Sequence, residues 1–451
     1  MGKYFGTDGF RGEANVDLTV MNAFEVGRFL GWYYGKKHPE KRCRIVIGKD
    51  TRRSSYMFED ALSAGITASG ADVYLMHVTT TPSVSYIARV DEFDCGVMIS
   101  ASHNPYYDNG IKVINGNGEK LDDETIAYIE DYLDGKLGEI PYAARDQIGR
   151  TVDYAAGRNR YIGYLISIAK KSFKDKHVAL DCANGSASSI AKPVFDALGA
   201  HTHVIGNEPN GININDGCGS THMERLRQYV ISEGCDLGFA YDGDADRCLA
   251  VDEKGQLING DQIMFICGKY MKECGKLRDD VIVATVMSNL GFFRACDREG
   301  IHYERTKVGD RFVYEAMSAK GYSLGGEQSG HIIFSKNATT GDGILTSLKL
   351  MDVMLERKMS LSRLAEECSM FPQCLKNVRV ADKKTAVENE ALQAAVKQAE
   401  ETLGDGGRIL LRESGTEPLI RVMVEAGTAE ECERYVDAVV AVMKNEGLAV
   451  S

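Results

Sequence analysis

Residues Cys95–Pro105 read CGVMISASHNP. Five residues of small or apolar character run into two serines, a histidine, an asparagine and a proline. A short apolar run closed by a polar, proline-bearing segment is the pattern of a strand buried on both faces. Such strands belong to α/β sheets covered by helices, and the carboxyl end of a strand is where those sheets gather their ligands.

Working outward, the flanking sequence supplies the helices. MNAFEVGRFLGWYYGKK (21–37) predicts a helix, CRIVIGKD (43–50) a strand, and SYMFEDALSAGITASG (55–70) a helix closed by Gly70. A strand at ADVYLMHV and a helix around PSVSYIARV lead into the opening stretch. The alternation restarts twice, at HVALDCANG and at DQIMFICGKYMKECG. After ECSMFPQC it gives way to three short strands and two helices. The expected fold class is therefore α/β: three related α/β sheet domains, followed by a smaller α+β C-terminal domain, around a central cleft. The expected boundaries are 1–150, 151–256, 257–368 and 369–451.

Composition narrows the function. The chain has 451 residues, too many for one ordinary core. Its net charge of -12 argues against nucleic acid, which needs a basic footprint, so an anionic ligand would depend on local clusters of arginine and lysine. No apolar run reaches the roughly 18 residues needed to span a bilayer, and MGKYFGTDGF lacks the layout of a secretory signal. The 12 cysteines contain no C-x-x-C pair, so buried free thiols in a reducing cytoplasm are expected rather than zinc or disulfides.

The polar strings follow strands. DGDADR (242–247) alternates Asp242, Asp244 and Asp246 with small residues, so three carboxylates can converge and would repel one another without a cation. Oxygen-only ligands suit a hard ion, Mg²⁺ above all. An EF-hand is excluded, although Glu253 falls at its twelfth position, because Arg247 stands where the loop needs glycine and a strand precedes it. Arg247 makes sense if the ion also holds a phosphate. In LRESGTEPLIR, Arg412, Ser414, Gly415, Thr416 and Arg421 combine an amide nest, hydroxyls and guanidinium forks suited to phosphate, against the alternative of a plain hairpin with solvated charges. GGEQSGH offers Glu327 and Ser329 to sugar hydroxyls, with His331 either a phosphate donor or a structural histidine. FGTDGFRG sets Arg11 between glycines, and KVGDR carries Lys307 and Arg311 past a strand.

Ser102 and His103 first suggest a hydrolase. The nucleophile elbow G-x-S-x-G is absent, however, and an adjacent histidine rarely has the geometry of a triad base. A serine that carries a phosphoryl group fits the other strings better, with Arg11, Lys112 and Arg247 balancing its charge. A helix N-cap is the structural alternative for Ser102.

Together FGTDGFRG, ISASHNP, DGDADR, GEQSGH and RESGTEPLIRV resemble, in order and spacing, the α-D-phosphohexomutase family over essentially the whole chain. The resemblance implies four domains and transfer of a phosphoryl group between the 6- and 1-positions of an aldohexose, through a phosphoserine enzyme and a 1,6-bisphosphate. It implies Ser102 as the phosphoserine and, with Asp242, Asp244 and Asp246, a Mg²⁺ ligand. Arg11, Lys112 and Arg247 become the cationic shell, with Lys112 or His103 as proton acceptor. Glu327 and Ser329 meet the sugar, and Arg412, Ser414, Gly415, Thr416 and Arg421 meet the distal phosphate. GEQSGH, with Gln328 at its centre, most resembles the members acting on glucosamine phosphates; mannose or glucose phosphates, or a non-catalytic sugar-phosphate binder, are the alternatives. The expected partners are a phosphosugar and a second copy in a homodimer, with neither nucleic acid nor membrane.

Overall fold

The computed structural model describes residues 2–6, 8–414 and 418–450. The chain divides into two compact units: residues 1–287 with 300–366, and residues 288–299 with 367–451.

Three sheets build the first unit. The first contains β1 (Phe5–Gly6), β2 (Gly9–Glu13), β3 (Arg44–Lys49), β4 (Asp72–Val78), β5 (Cys95–Ile99), β6 (Asp108–Asn115) and β7 (Thr151–Asp153), in the order β1-β2-β6-β5-β3-β4-β7. β5, β3, β4 and β7 run parallel, whereas β6 runs antiparallel to β5 and β2 antiparallel to β6, so that strands alternate in direction toward this edge. The second sheet contains β8 (His177–Asp181), β9 (His201–Ile205), β10 (Leu237–Tyr241), β11 (Cys248–Asp252) and β12 (Leu257–Ile258), in the order β12-β11-β10-β8-β9. The third contains β13 (Val281–Thr285), β14 (His302–Thr306), β15 (Leu324–Gly326) and β16 (Ile332–Phe334), in the order β14-β13-β15-β16. Each of the last two has three parallel strands, with β11 and β12, or β16, added antiparallel. The three sheets of α/β type expected from the sequence are thus present. Their antiparallel edges are an addition that the apolar runs did not announce.

Helices cover the first sheet. Helix α1 (Val20–Lys37) begins at Thr19, whose side chain caps the Asn22 amide while Asn22 returns a bond to the Thr19 amide. It crosses α2 (Arg53–Ala68) closely enough that a Cβ on Gly27 would lie 2.5 Å from the Leu62 carbonyl, and one on Gly65 2.8 Å from the Arg28 amide. Both collisions are with backbone, which cannot rotate away. The core beneath includes Phe29, Ile45, Ile47, Phe58, Val97 and Ile99. Helix α3 (Thr81–Val90) is capped by Thr80, and Pro82 sits in its first turn, where no amide hydrogen is missed.

The second unit carries the antiparallel sheet β17 (Gln373–Arg379), β18 (Arg408–Glu413) and β19 (Leu419–Glu425), in the order β17-β19-β18. Its core joins Ile420, Val422 and Val424 to Val396, Val436 and Val439 of the helices Glu390–Leu403 and Ala429–Asn445. The helix Leu290–Arg298 belongs to this unit although its sequence neighbours do not. Asn289 donates to the Phe371 carbonyl at 3.1 Å and to the Glu425 carboxylate at 3.1 Å, and Arg408 pairs with buried Glu425 at 2.7 Å. All 12 cysteines are free, and every one except Cys274 and Cys374 is buried. Among the described residues no helix is long and apolar enough to cross a membrane.

The α1–α2 crossing yields a stability test. Gly65→Val is expected to lower the unfolding free energy by about 1–3 kcal/mol through overpacking, read from urea denaturation. An unchanged midpoint would show that the helices have room to separate.

Candidate active site

The site follows from strand order. β2, β6 and β5 are neighbours, so Arg11 on β2 faces Gly110 across the ladder, Lys112 on β6 faces Met98, and Ser102 stands just past the end of β5. Ser102 has φ +53, in the left-handed region, and no helix follows it, so the helix N-cap alternative is overturned. For an L-residue that conformation costs roughly 1–2 kcal/mol. The second sheet delivers the aspartates on the six-residue loop between β10 and β11.

Asp242, Asp244 and Asp246 are 0, 0 and 4 % exposed, and each offers an oxygen within 4.8 Å of the others. Ser102 Oγ donates to Asp242 Oδ2 at 2.5 Å. Thr81 donates its hydroxyl to Asp244 Oδ2 at 2.5 Å and its amide to the Asp244 carbonyl at 3.1 Å, which points the positive end of α3 at this residue. Lys112 Nζ lies 2.7 Å from Asp244, 3.0 Å from Asp8 and 3.6 Å from Asp246. Burial opposes its charge, yet those carboxylates outweigh burial and raise its pKa.

Burial first, then the charges of Asp246 and Asp244, push the Asp242 carboxyl well above the carboxylate range. Burial acts the same way on Asp246, but Lys112, His331 and Arg247 overcome it and hold that carboxyl far below. Among the described residues, Asp244 Oδ1 and Asp246 Oδ1 are buried and accept no hydrogen bond. Three converging carboxylates with two oxygens left over have the chemistry of a site for a hard divalent cation.

His331 comes from the third sheet, just before β16. Its Nδ1 is 3.6 Å from Asp246 and its Nε2 3.5 Å from Asp310. Burial lowers its pKa, but Asp310 and Asp246 prevail and raise it to about 9. The Gly341 amide, donating to Nε2 at 2.9 Å, works against a second proton and favours the tautomer with hydrogen on Nδ1. His103 Nδ1 is 3.4 Å from Ser102 Oγ; burial, then Arg247 and Arg11, lower its pKa to about 4, so the ring is a neutral base at pH 7.

The remaining expected residues divide. Arg11 pairs with Asp8, and Arg247 faces Asp246 at 3.9 Å. Glu327 accepts from the Gly309 amide at 3.0 Å and adds to the field that raises the pKa of Arg247, behind Asp242 and Asp246. Ser329 Oγ, Arg11 Nε and Arg247 Nε are buried without a hydrogen bond among the described residues. Arg311 is committed elsewhere, to Asp123 at 2.5 Å and Glu315 at 2.7 Å, and Lys307 is exposed. In the second unit, Arg412 and Arg421 are direct cross-strand partners, a like-charge pairing that an anion would relieve. Ser414 is buried beside them in sequence, its amide donating to the Leu419 carbonyl at 2.9 Å. Gly415 and Thr416 lie outside the described residues.

Sequence reasoning missed Asp8, Thr81, Lys120 and Asp310. Lys120 joins Asp8 at 2.8 Å to Asp310 at 2.6 Å, and Lys120 and Asp310 line, with Arg311 and His331, a cavity of about 570 Å³. Asp8 and Asp310 stood inside the strings FGTDGFRG and KVGDR but were passed over for the neighbouring arginines.

A buried hydroxyl against an aspartate triad, ringed by cations and set at the strand ends of α/β sheets, is an enzyme centre whose carboxylates are compatible with a metal site. Residues 2–137, 159–255, 259–371 and 375–442 match, in turn, domains I, II and III (alpha/beta/alpha) and the C-terminal domain of phosphoglucomutase/phosphomannomutase. The chain belongs to this family, the phosphohexomutases. It is 65% identical over 450 residues to the phosphoglucosamine mutase of Lachnospira eligens, covering 100% of each chain. It is 51% identical over 446 residues to that of Bacillus cereus AH187, covering 99% of each. In fold it resembles a phosphoglucomutase/phosphomannomutase family protein of Burkholderia thailandensis, with TM-score 0.79, 22% identity and 99% and 98% of the chains covered. The N-acetylphosphoglucosamine mutase of Aspergillus fumigatus, solved with GlcNAc-6P and magnesium, has TM-score 0.71 at 18% identity, covering 98% and 96%.

Two outcomes check the electrostatics. A hard divalent cation added to metal-free protein should raise the melting temperature, by the equivalent of about 2.7 kcal/mol at a hundredfold excess over Kd; Asp244→Asn should remove most of the rise. Lys112→Met, which strips the buried counter-charge, should cost about 3–5 kcal/mol in metal-free urea unfolding.

Proposed function

We propose that this chain interconverts glucosamine 6-phosphate and glucosamine 1-phosphate, the reaction of a phosphoglucosamine mutase, by way of a phosphoserine at Ser102. The observation that carries the reading is Ser102 Oγ, buried and 2.5 Å from Asp242 inside a three-carboxylate cluster. The choice of amino sugar is supported by full-length relatives of that name at 65% and 51% identity.

Asp242, Asp244, Asp246 and the phosphoryl group on Ser102 would hold Mg²⁺, which when bound neutralises charge on the transferring phosphoryl group. The chain's own groups do the rest. Arg11, Lys112 and Arg247 pair with the phosphoryl oxygens. Glu327 and Ser329 orient the sugar through its hydroxyl and amino groups, and His331 braces the cluster through Asp246. Arg412, Ser414, Gly415, Thr416 and Arg421 hold the non-reacting phosphate; Lys307 completes the anion-attracting rim, while Arg311 stays with Asp123 and Glu315.

In the forward half-reaction the free hydroxyl of the sugar phosphate attacks the phosphorus on Ser102. The new O–P bond forms as the Ser102 O–P bond breaks, and the hydroxyl proton passes to the neutral ring of His103; Lys112, the other acceptor expected from the sequence, already carries its full set of protons because Asp244 and Asp8 outweigh burial and raise its pKa. The product is a hexosamine 1,6-bisphosphate. After it turns over, its other phosphate returns to Ser102 and the proton goes back to the departing sugar oxygen. Positioning and charge neutralisation supply most of the rate in such transfers. The four-domain division expected from the sequence is kept, with support from four separately matched segments. So is a cytoplasmic location, which suits 12 free thiols, and a homodimer, to be read from sedimentation velocity.

Ser102→Ala should fold normally and lose turnover; near-native rates in that variant would eliminate the phosphoserine mechanism. Chelation should abolish activity and Mg²⁺ restore it. Comparing kcat/KM on the 6-phosphates of glucosamine, mannose and glucose tests the sugar: glucosamine should lead, and equal or reversed preference would return the chain to the phosphomannomutase or phosphoglucomutase reading.

A further inference from the structure

Arg52 stands at the N-cap of α2 and makes no capping bond with its side chain. It is a poor choice for that position, since Ser, Thr, Asp or Asn would satisfy a helix amide and a cation opposes the helix dipole. Its guanidinium is nevertheless fully buried. Nη1 pairs with Asp50 and reaches Ser100 Oγ at 3.4 Å, while Nη2 donates to the carbonyls of Ser102 at 3.1 Å and Asn104 at 2.6 Å. Asp50 is itself held by the Arg52 amide at 2.9 Å and the Ser55 hydroxyl at 2.8 Å.

A second side chain grips the same two oxygens. Asn215, on the loop after β9 and 6 % exposed, donates Nδ2 to the Ser102 carbonyl at 2.9 Å and to the Asn104 carbonyl at 3.1 Å. Its backbone is anchored, the amide donating to the Ala183 carbonyl at 2.9 Å. Gly243 walls off the remaining side: a Cβ there would lie 2.5 Å from the Ser102 carbonyl. Two segments from different sheets therefore converge on one pair of carbonyls, at the residue whose φ is +53.

We propose that Arg52 and Asn215 are positioning residues that lock Ser102 in its left-handed conformation and thereby aim Oγ at the aspartate cluster. Neither touches the reacting atoms. Holding the Ser102 carbonyl also fixes the following peptide: a trans bond turns the His103 N–H to the opposite side from the clamp. No backbone or side-chain bond occupies that N–H among the described residues, which leaves it available to an oxygen of the group on Ser102. Clamping from both sheets means the serine is aimed only when the two are docked. This inference rests on the phosphoserine reading.

The test uses full-length Asn215→Ala, Arg52→Lys and their double variant, with Ser102→Ala as control. In each, kcat, KM for glucosamine 6-phosphate and the single-turnover rate of phosphoserine discharge are measured beside the melting temperature. Asn215→Ala should slow discharge and kcat about 10-fold, and Arg52→Lys about 10- to 100-fold, as expected for a misplaced reacting atom, with KM within about twofold. Because both residues hold the same carbonyls, the double variant should be much less impaired than the product of the singles. Native discharge in Asn215→Ala, or losses that multiply independently, overturns the clamp, and Asn215→Ala decides the matter if Arg52→Lys fails to fold. An active Ser102→Ala would instead overturn the phosphoserine reading itself.

Discussion

Three aspartates within five residues are buried at one point, and much of the surrounding structure exists to make that tolerable. Isolated buried carboxylates would take up protons rather than stay charged, as Asp242 shows by its raised pKa. Compensation arrives from separate parts of the first unit. Lys112 comes from the antiparallel strand β6, the amide end of α3 points at Asp244, and His331 precedes the last strand of the third sheet. No one of the three sheets could assemble this balance alone. The same arrangement places cations at the centre of a chain of net charge -12: Lys112, Lys120, Arg11 and Arg247 are drawn in by Asp8, Asp244, Asp246 and Asp310.

Much of this was legible in the sequence, for local reasons. CGVMI and LGFAY are apolar runs that stop at polar strings, and they are β5 and β10, with Ser102 and the triad at their ends. Asp-x-Asp-x-Asp needs no tertiary knowledge to be read as a cation site, because repulsion between the carboxylates is a property of the string itself. What escaped depends on pairing. DNGIKVIN carries no mark that says it runs antiparallel to its neighbour, yet that direction places Lys112 beside Asp244. Asp8, Lys120 and Asp310 are over a hundred residues apart and meet only through sheet register. The helix Leu290–Arg298 is the link between parallel β13 and β14 in the third α/β round, as its sequence reads, and yet it groups with the C-terminal unit, where buried Glu425 accepts from Asn289 and the Leu290 amide. Arg311 stands past the end of a strand, as the other candidates do; its partners are the carboxylates of Asp123 and Glu315.

The conformation of Ser102 was the least legible feature, since left-handed backbone is signalled by Gly, Asn or Asp and not by serine. A clue lay in α2, where an arginine fills a position that helix chemistry assigns to a small polar residue. Local misfits of this kind mark places where tertiary demands have won.

The serine–histidine pair can now be judged on geometry rather than on proximity in sequence. A hydrolytic base needs a carboxylate to orient its ring and to stabilise the imidazolium it becomes. His103 has the reverse surroundings, with burial, Arg247 and Arg11 all resisting a positive charge. The serine hydroxyl, for its part, is donated to Asp242 at 2.5 Å and not directed at a lone general base. A field that repels protons from a neighbouring ring, and holds cations around an oxygen atom, suits an oxygen that carries negative charge. That is the condition of a phosphorylated serine, and it is why the same residues that argue against a hydrolase favour a phosphoryl carrier.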